Sequence, residues 1–178
     1  KLELAKETQD GLGFTHRRYQ QYFQGLEVFG GQILTHEKDG FIQTVNGQFY
    51  SNLQLDITPS VTEQVAISRA MQHIGAEQWQ WQSGNEAYYS QMTDGGSLQP
   101  TAMLMLAPLS GNFTTDAYRL VYKININAQK PYGVYDIFVD AKTGSIILKV
   151  DKIATGDVTG SAQTLYSGTK TITMDDTG

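Results

Sequence analysis

The stretch from His16 to Gly31, HRRYQQYFQGLEVFGG, decides how the first third of the chain is read. It crowds basic, amide and aromatic side chains together and ends in paired glycines. That composition suits an active-site lining, a nucleic-acid grip or a stiff structural edge. Two-residue periodicity places Phe14, His16, Arg18, Gln20 and Tyr22 on one face of a strand, and Thr15, Arg17, Tyr19, Gln21 and Phe23 on the other. Gln24-Gly25 interrupts the run, and Leu26 to His36 resumes it. Glu37-Lys38-Asp39-Gly40 reads as a turn with Gly40 suited to positive φ. Phe41 to Val45 returns as a strand, and Asn46-Gly47 is a further turn signal. Residues 11–45 therefore predict a β-meander.

Bulk composition narrows the choice. A net charge of −5, from 13 basic and 18 acidic groups, disfavours nucleic-acid binding, which concentrates Lys and Arg on one face. No apolar run approaches the ~20 residues needed to span a bilayer. Lys1-Leu2-Glu3-Leu4 lacks the apolar core of a signal peptide, although numbering that starts after one is compatible with this. The absence of cysteine excludes disulfides and thiolate chemistry. Low charge with abundant Gln, Asn, Thr, Tyr and Gly fits an exported, strand-rich protein.

The texture changes at Ile57. If Ser60 caps a helix, Glu63 falls at the third helical position and completes a capping box, with Val61, Val65, Ala66, Ala70, Met71 and Ile74 near helical spacing and Gly75 as the stop. Residues 60–74 thus predict one amphipathic helix, the only long one. Beyond it Trp79 and Trp81 alternate, Tyr88-Tyr89 follow, and Thr93 to Gly96 reads as a turn. Thr101 to Leu109 reads as a central strand. Tyr118, Leu120, Tyr122, Ile124 and Ile126 alternate with Arg119, Val121, Lys123, Asn125 and Asn127, the pattern of a half-buried antiparallel strand. A hairpin follows, in which Tyr135, Ile137 and Val139 pair with Ile146, Leu148 and Val150. Asp140 accepts turn N–H groups and Gly144 takes the left-handed position. The fold class is α+β: an antiparallel β-meander, then a helix packed on an antiparallel sheet, with a Thr/Ser/Gly-rich tail from Thr155.

No catalytic constellation emerges. His36-Glu37 opens like a zinc-helix motif, but Gly40 stands where the second histidine is needed. His16, His36 and His73 are far apart in sequence, so no metal site is assigned. There is no Gly-x-Ser-x-Gly elbow, and Gly95-Gly96 lacks the lysine of a phosphate loop. Asp175-Asp176 reads as a solvated turn. His16, Arg17 and Arg18 could hold an anion, but the plainer reading has Arg18 gripped by a carboxylate or backbone carbonyls within the sheet. Trp79 and Trp81 could stack on a sugar, though core packing is the commoner role.

His16, Arg18, Tyr19, Gln21, Gly25, Val28, Phe29 and Gly30 stand in a pattern that resembles the fungalysin/thermolysin propeptide domain. The helix ITPSVTEQVAISRAM and the strands YRLVYKINI and YDIFVDAKTGSIILKV resemble the PepSY domain. The tail TGDVTGSAQTLYSGTKTI is similar to the start of mature thermolysin-like enzymes. The resemblance implies three segments: residues 1–55 as the propeptide-motif unit, 56–154 as the PepSY-like unit, and 155–178 as linker or the start of a catalytic domain. It further implies the pro-region of a secreted, bacterial-type zinc metalloprotease, acting as intramolecular chaperone and autoinhibitor and removed near residues 149–158. This chain would then hold no catalytic residue and no cofactor. Zinc and calcium would belong to the cognate catalytic domain, its expected partner, with no nucleic acid and no membrane span. Lys149, Val150, Asp151, Lys152, Ile153 and Ala154 would cross the protease cleft. His16, Arg18, Tyr19, Gln21, Gly25, Gly30, Asp140 and Gly144 would be scaffold. Two rivals are a free-standing secreted PepSY-type inhibitor or interaction module, and a carbohydrate- or peptide-binding protein using Trp79, Trp81, Tyr88 and Tyr89.

Overall fold

The computed structural model describes residues 1–92, 95–153, 157–164 and 168–175. Nine strands form one sheet. In chain order they are β1 (Leu2–Gln9), β2 (Thr15–Phe23), β3 (Leu26–Lys38), β4 (Phe41–Gln48), β5 (Gln78–Trp79), β6 (Ala102–Pro108), β7 (Tyr118–Lys130), β8 (Tyr132–Asp140) and β9 (Ile146–Asp151). Their spatial order is β1-β2-β3-β6-β7-β8-β9, with β4 also on β3 and β5 on β7. Every pairing is antiparallel except β3–β6, which is parallel at Val28 and Leu106. A separate two-stranded sheet joins β10 (Asp157–Thr164) to β11 (Gly168–Asp175).

The meander of residues 11–45 thus gains a strand in front, β1, which the sequence pattern did not predict. Asn46-Gly47 is not a turn either, for β4 runs through it to Gln48. Gly47 sits at φ +121, and a Cβ there would lie 2.1 Å from the Gln32 carbonyl oxygen. The glycine is needed for close strand approach, not for chain reversal.

Strand β3 is the hinge of the architecture. Gln20 pairs with Gln32 and Tyr22 with Glu27, so Val28, Phe29, Gly30 and Gly31 bulge outward opposite Gln21 alone. The bulge frees Val28 to pair with β6. Two buried glutamines fill the junction, Gln20 serving the bulged segment and Gln21 serving Tyr50. The Gln20 amide donates to the carbonyls of Val28 (2.9 Å) and Gly31 (3.1 Å), and accepts from Gln32 Nε2 (2.9 Å). Gln21 accepts from the Tyr50 N–H (2.9 Å) and donates to the Tyr50 carbonyl (2.7 Å), imitating a strand neighbour. The Tyr118 hydroxyl donates to the Phe29 carbonyl at 2.7 Å.

The helix α1 (Glu63–Ile74) starts later than its sequence suggested. Thr62, not Ser60, is the N-cap and accepts from Val65 N at 3.4 Å; the expected capping box is absent. The N–H groups of Ser60 and Val61 donate instead to the Ala141 carbonyl, so tertiary contact with the β8–β9 turn holds that segment out of the helix. Gly75 ends the helix in the left-handed conformation, as expected. Fully buried Ala66 and Ala70 let α1 lie close on the sheet, over Leu120, Tyr122, Ile124, Ile126, Ile137 and Val139. Opposite them, Phe29, Met105, Ala107, Val121, Phe138 and Ile147 form a second, smaller cluster. A second helix, α2 (Glu86–Met92), lies in the stretch where none was predicted.

The β8–β9 pairing also departs from simple alternation. Val139 faces Ile146 but Phe138 faces Leu148, so Ile147 is the extra residue of a bulge. Val150 therefore stands opposite Asp136, and the expected pairing of Ile137 with Leu148 is replaced by Ile137 with Lys149.

Replacing Gln21 by Ala leaves the Tyr50 N–H and carbonyl without partners in a buried position. Denaturant unfolding is expected to show a loss of roughly 2–4 kcal/mol, the scale of two stranded buried groups.

Candidate functional site

Three clusters collect the residues singled out in the sequence. The first lies on the meander. His16 and His36 are direct cross-strand partners, with their Nδ1 atoms 2.6 Å apart. Asp10 Oδ2 holds the other nitrogen of His16 at 3.1 Å, and Asn46 Nδ2 lies 3.3 Å from His36 Nε2. The Asp10 carboxyl is lowered from its ordinary value, first by the Phe14 backbone N–H, with His16 and the Leu12 N–H adding to it and together outweighing the opposing effect of desolvation. Two imidazoles sharing a tetrahedral metal need their nitrogens about 3.3 Å apart, so this pair is spaced for a hydrogen bond between the rings. Among the described residues no three His, Cys, Asp or Glu side chains converge on a metal position.

The neighbouring arginines correct one expectation. Arg18, expected to be gripped within the sheet, is exposed, and its side chain makes no hydrogen bond or ion pair. Arg17 fills that role on the opposite face. Its Nε lies 2.6 Å from Glu7, and its Nη1 pairs with Glu37. These two carboxylates, Glu7 first, raise the Arg17 guanidinium above its ordinary value. The physical reason is alternation: Glu7 and Glu37 share the face of Arg17, and Arg18 points away from both. Tyr19 lies half-buried between Leu4 and Ile33 in a cross-strand row.

Gly25 takes a left-handed φ of +86 in the turn between β2 and β3. Gly30, at φ +74, faces Phe113, which a Cβ would meet at 2.8 Å. Gly31 has a Cβ position 2.9 Å from the Gln21 side chain, so the paired glycines make room for the filled bulge.

The second cluster is the β8–β9 turn. Asp140 Oδ1 accepts from the N–H groups of Lys142 and Thr143, both at 2.8 Å, and Gly144 adopts φ +74. The turn is clamped from outside: Arg69 donates to the Thr143 carbonyl at 2.7 Å, and Lys142 pairs with Asp56. That lysine, with the Thr58 N–H, lowers the Asp56 carboxyl to about 2.

The third cluster contains the segment expected to cross a protease cleft. Lys149 Nζ lies over the Tyr135 ring at 4.7 Å. Val150 is exposed at the sheet edge. Asp151 Oδ1 accepts from the Ile153 N–H at 3.0 Å. The Lys152 N–H donates to the Val134 carbonyl at 2.9 Å, and its ammonium lies 3.8 Å from Asp136. Ala154 lies outside the described residues. Asp136, which sequence reasoning missed, is the centre of this cluster. Lys123 approaches it at 3.2 Å and Asn125 donates to it at 3.1 Å. An acidic residue inside an apolar strand, YDIFV, was the available signal.

Trp79 and Trp81 stack on each other, centroids 5.3 Å apart and nearly parallel, with Trp79 buried in the main core. They do not present two open faces to a sugar.

The nine-stranded sheet ends at β9, from which the chain continues through Lys152 and Ile153. Comparison with known proteins finds several similarities. Residues 1–49 match the Fungalysin/Thermolysin Propeptide Motif. The chain is 28% identical to a bacillolysin of Bacillus subtilis (strain 168) over 174 residues, covering 95% of this chain and 30% of that one. To a bacillolysin of Bacillus amyloliquefaciens it is 26% identical over 179 residues, covering 98% of this chain and 32% of that one. A solved structure, the Bacillus megaterium YpeB C-terminal domain, aligns with 84% of this chain and 56% of that chain at 14% identity and a TM-score of 0.43. Residues 1–49 thus carry a match to a propeptide motif, and the chain spans about 30% of the length of the bacillolysins it is similar to.

Two outcomes check the site geometry. Arg17→Ala is expected to lower the thermal midpoint, whereas Arg18→Ala leaves it unchanged or raises it. In an NMR titration the Asp56 carboxyl is expected to change protonation near pH 2, moving up toward 3.8 in Lys142→Ala. Because the folded-state value is depressed, the stabilisation from this pair is complete above about pH 4 and is lost as pH falls toward 2.

Proposed function

We propose that the chain is a pro-region that binds its own metalloprotease catalytic domain, assists that domain's folding and inhibits it until processing. The observation that carries this reading is the match itself: nearly the whole chain aligns, yet it covers only 30% of the bacillolysin. Chemistry on zinc would belong to the remaining portion. Export from the cell belongs to the same proposal, as does the division into units at residues 1–55, 56–154 and 155–178.

The inhibitory element is the segment from Lys149 to Ala154. In the described sheet β9 pairs only with β8, so its outer edge is free to add to a cleft-edge strand, with alternate side chains entering pockets. Lys152–Ile153 is the proposed processing bond, with Lys149–Val150 and Asp157–Val158 as rivals. After cleavage the new end stays bound as product, so no special inhibitory group is required. Chaperoning follows from the same interface, because a partner that binds only the native enzyme raises the native population.

Refolding the separated catalytic domain with this chain added in trans is expected to raise the yield of folded enzyme and to leave it inhibited in proportion to the chain supplied. Mass spectrometry of the processed chain is expected to show a new terminus at Lys152, and Ile153→Asp to suppress that cut. Equal refolding yields and full activity in the mixture would remove the proposal.

A further inference from the structure

The meander has two faces with opposite electrostatic organisation. On one, Arg17 sits between Glu7 and Glu37. On the other, Lys6 is the direct cross-strand partner of Arg18. Like charges placed opposite one another on neighbouring strands are destabilising. Both side chains are exposed, and neither makes an ion pair or hydrogen bond. The carboxylates nearest in sequence are engaged elsewhere: Glu3 with Lys1, Glu7 with Arg17, and Asp10 with His16. In a chain of net charge −5 this pairing is a local construction, not a reflection of overall basicity.

A bulge sets the construction. Leu4 faces Tyr19 and Lys6 faces Arg18, so Ala5 is the extra residue. The extra residue puts Glu7 opposite Arg17 and directs Lys6 to the face of Arg18; bulges re-aim side chains in this way beside binding sites. The result is a depression whose lining includes Lys6, Thr8, His16, Arg18, Leu34 and His36, together with Arg17. Leu34 is the other cross-strand partner of Arg18. The His16–His36 pair, steadied by Asp10 and Asn46, closes one end.

We propose that this depression is a binding site for an oxyanion, a carboxylate or phosphate-type group held between the Lys6 ammonium and the Arg18 guanidinium. The planar fork of arginine matches two oxygens of either group, and lysine supplies a point charge. The Thr8 hydroxyl is a third donor at the rim. The like-charge pair that costs stability in the free protein becomes favourable once an anion lies between its members. The site is independent of the propeptide reading and stands or falls separately from it.

The test uses the full chain at low ionic strength. Calorimetric titration and thermal unfolding are run with inorganic phosphate, with a tetraglutamate peptide, and with chloride at matched ionic strength. Either oxyanion is expected to bind and to raise the midpoint beyond the effect of chloride; the arm that responds identifies the source. Lys6→Gln and Arg18→Gln are each expected to weaken binding roughly tenfold or more, while unfolding without anion occurs at the same or a higher temperature. Lys130→Gln, an exposed charge elsewhere, is expected to behave as wild type. The proposal is overturned if chloride matches both oxyanions, if the Lys6 and Arg18 variants bind as wild type, or if those variants unfold earlier in the absence of anion.

Discussion

Two glutamine amides standing in for a missing strand are the constraint on which the rest of the molecule depends. A strand that serves two partners must leave one of them, and the backbone groups it abandons have to be satisfied inside the protein. Here β3 leaves β2 at Val28–Gly31, where Gln20 and the Tyr118 hydroxyl take up the stranded carbonyls, while Gln21 serves the Tyr50 backbone opposite the bulge. Glutamine suits the position because its amide carries both donors and an acceptor, so Gln21 can serve the N–H and carbonyl of one residue together. Burial and the nearby Tyr50 push the Tyr118 hydroxyl above its ordinary value, so it stays a neutral donor across the working pH range. The aromatic and amide side chains of the opening stretch are therefore fixtures of the fold, not the lining of an active site.

From that junction the two halves of the chain acquire one sheet. The parallel contact of Val28 with Leu106 sets β6 beside β3, and β7, β8 and β9 follow in order. Helix α1 covers one face over Tyr122, Ile124 and Ile137. The sheet thus ends at β9, and its continuation is held by Asp136, Val134 and Asp151 up to Ile153. Under the function proposed above this geometry is useful, because ordering the segment beforehand lowers the entropic cost of binding.

Much of this was legible in the sequence. The alternation of Tyr118 to Asn127 gave both faces of β7, and Asp140 with Gly144 gave the β8–β9 turn, because those signals are local. What was missed is non-local or depends on register. No periodicity reveals that β3 pairs with β6, that Ile147 is bulged, or that Ser60 is bound by Ala141 and so cannot cap the helix. Arg18 shows the same limit. Adjacent arginines are equivalent in composition, and only the register of Glu7 and Glu37 decides which is gripped. His16 and His36 were dismissed as distant in sequence, yet antiparallel pairing brings distant residues directly opposite one another. The Trp-rich stretch resisted reading because a two-residue strand followed by a tight turn has no period to detect.

The same register argument separates stability from recognition in the N-terminal sheet. A strand whose acidic and basic residues sit at adjacent positions must send them to opposite faces. Lys6-Glu7 facing Arg18-Arg17 therefore yields one neutralised face and one cationic face. The neutralised face carries Arg17 with its two carboxylates and the row Leu4, Tyr19 and Ile33, and these interactions hold the sheet. The cationic face contributes repulsion instead. Residues that lower stability while remaining exposed are what a recognition surface requires, since their compensation has to come from outside the chain. Contacts made by such exposed charges weaken as salt rises, whereas the buried amide junction does not.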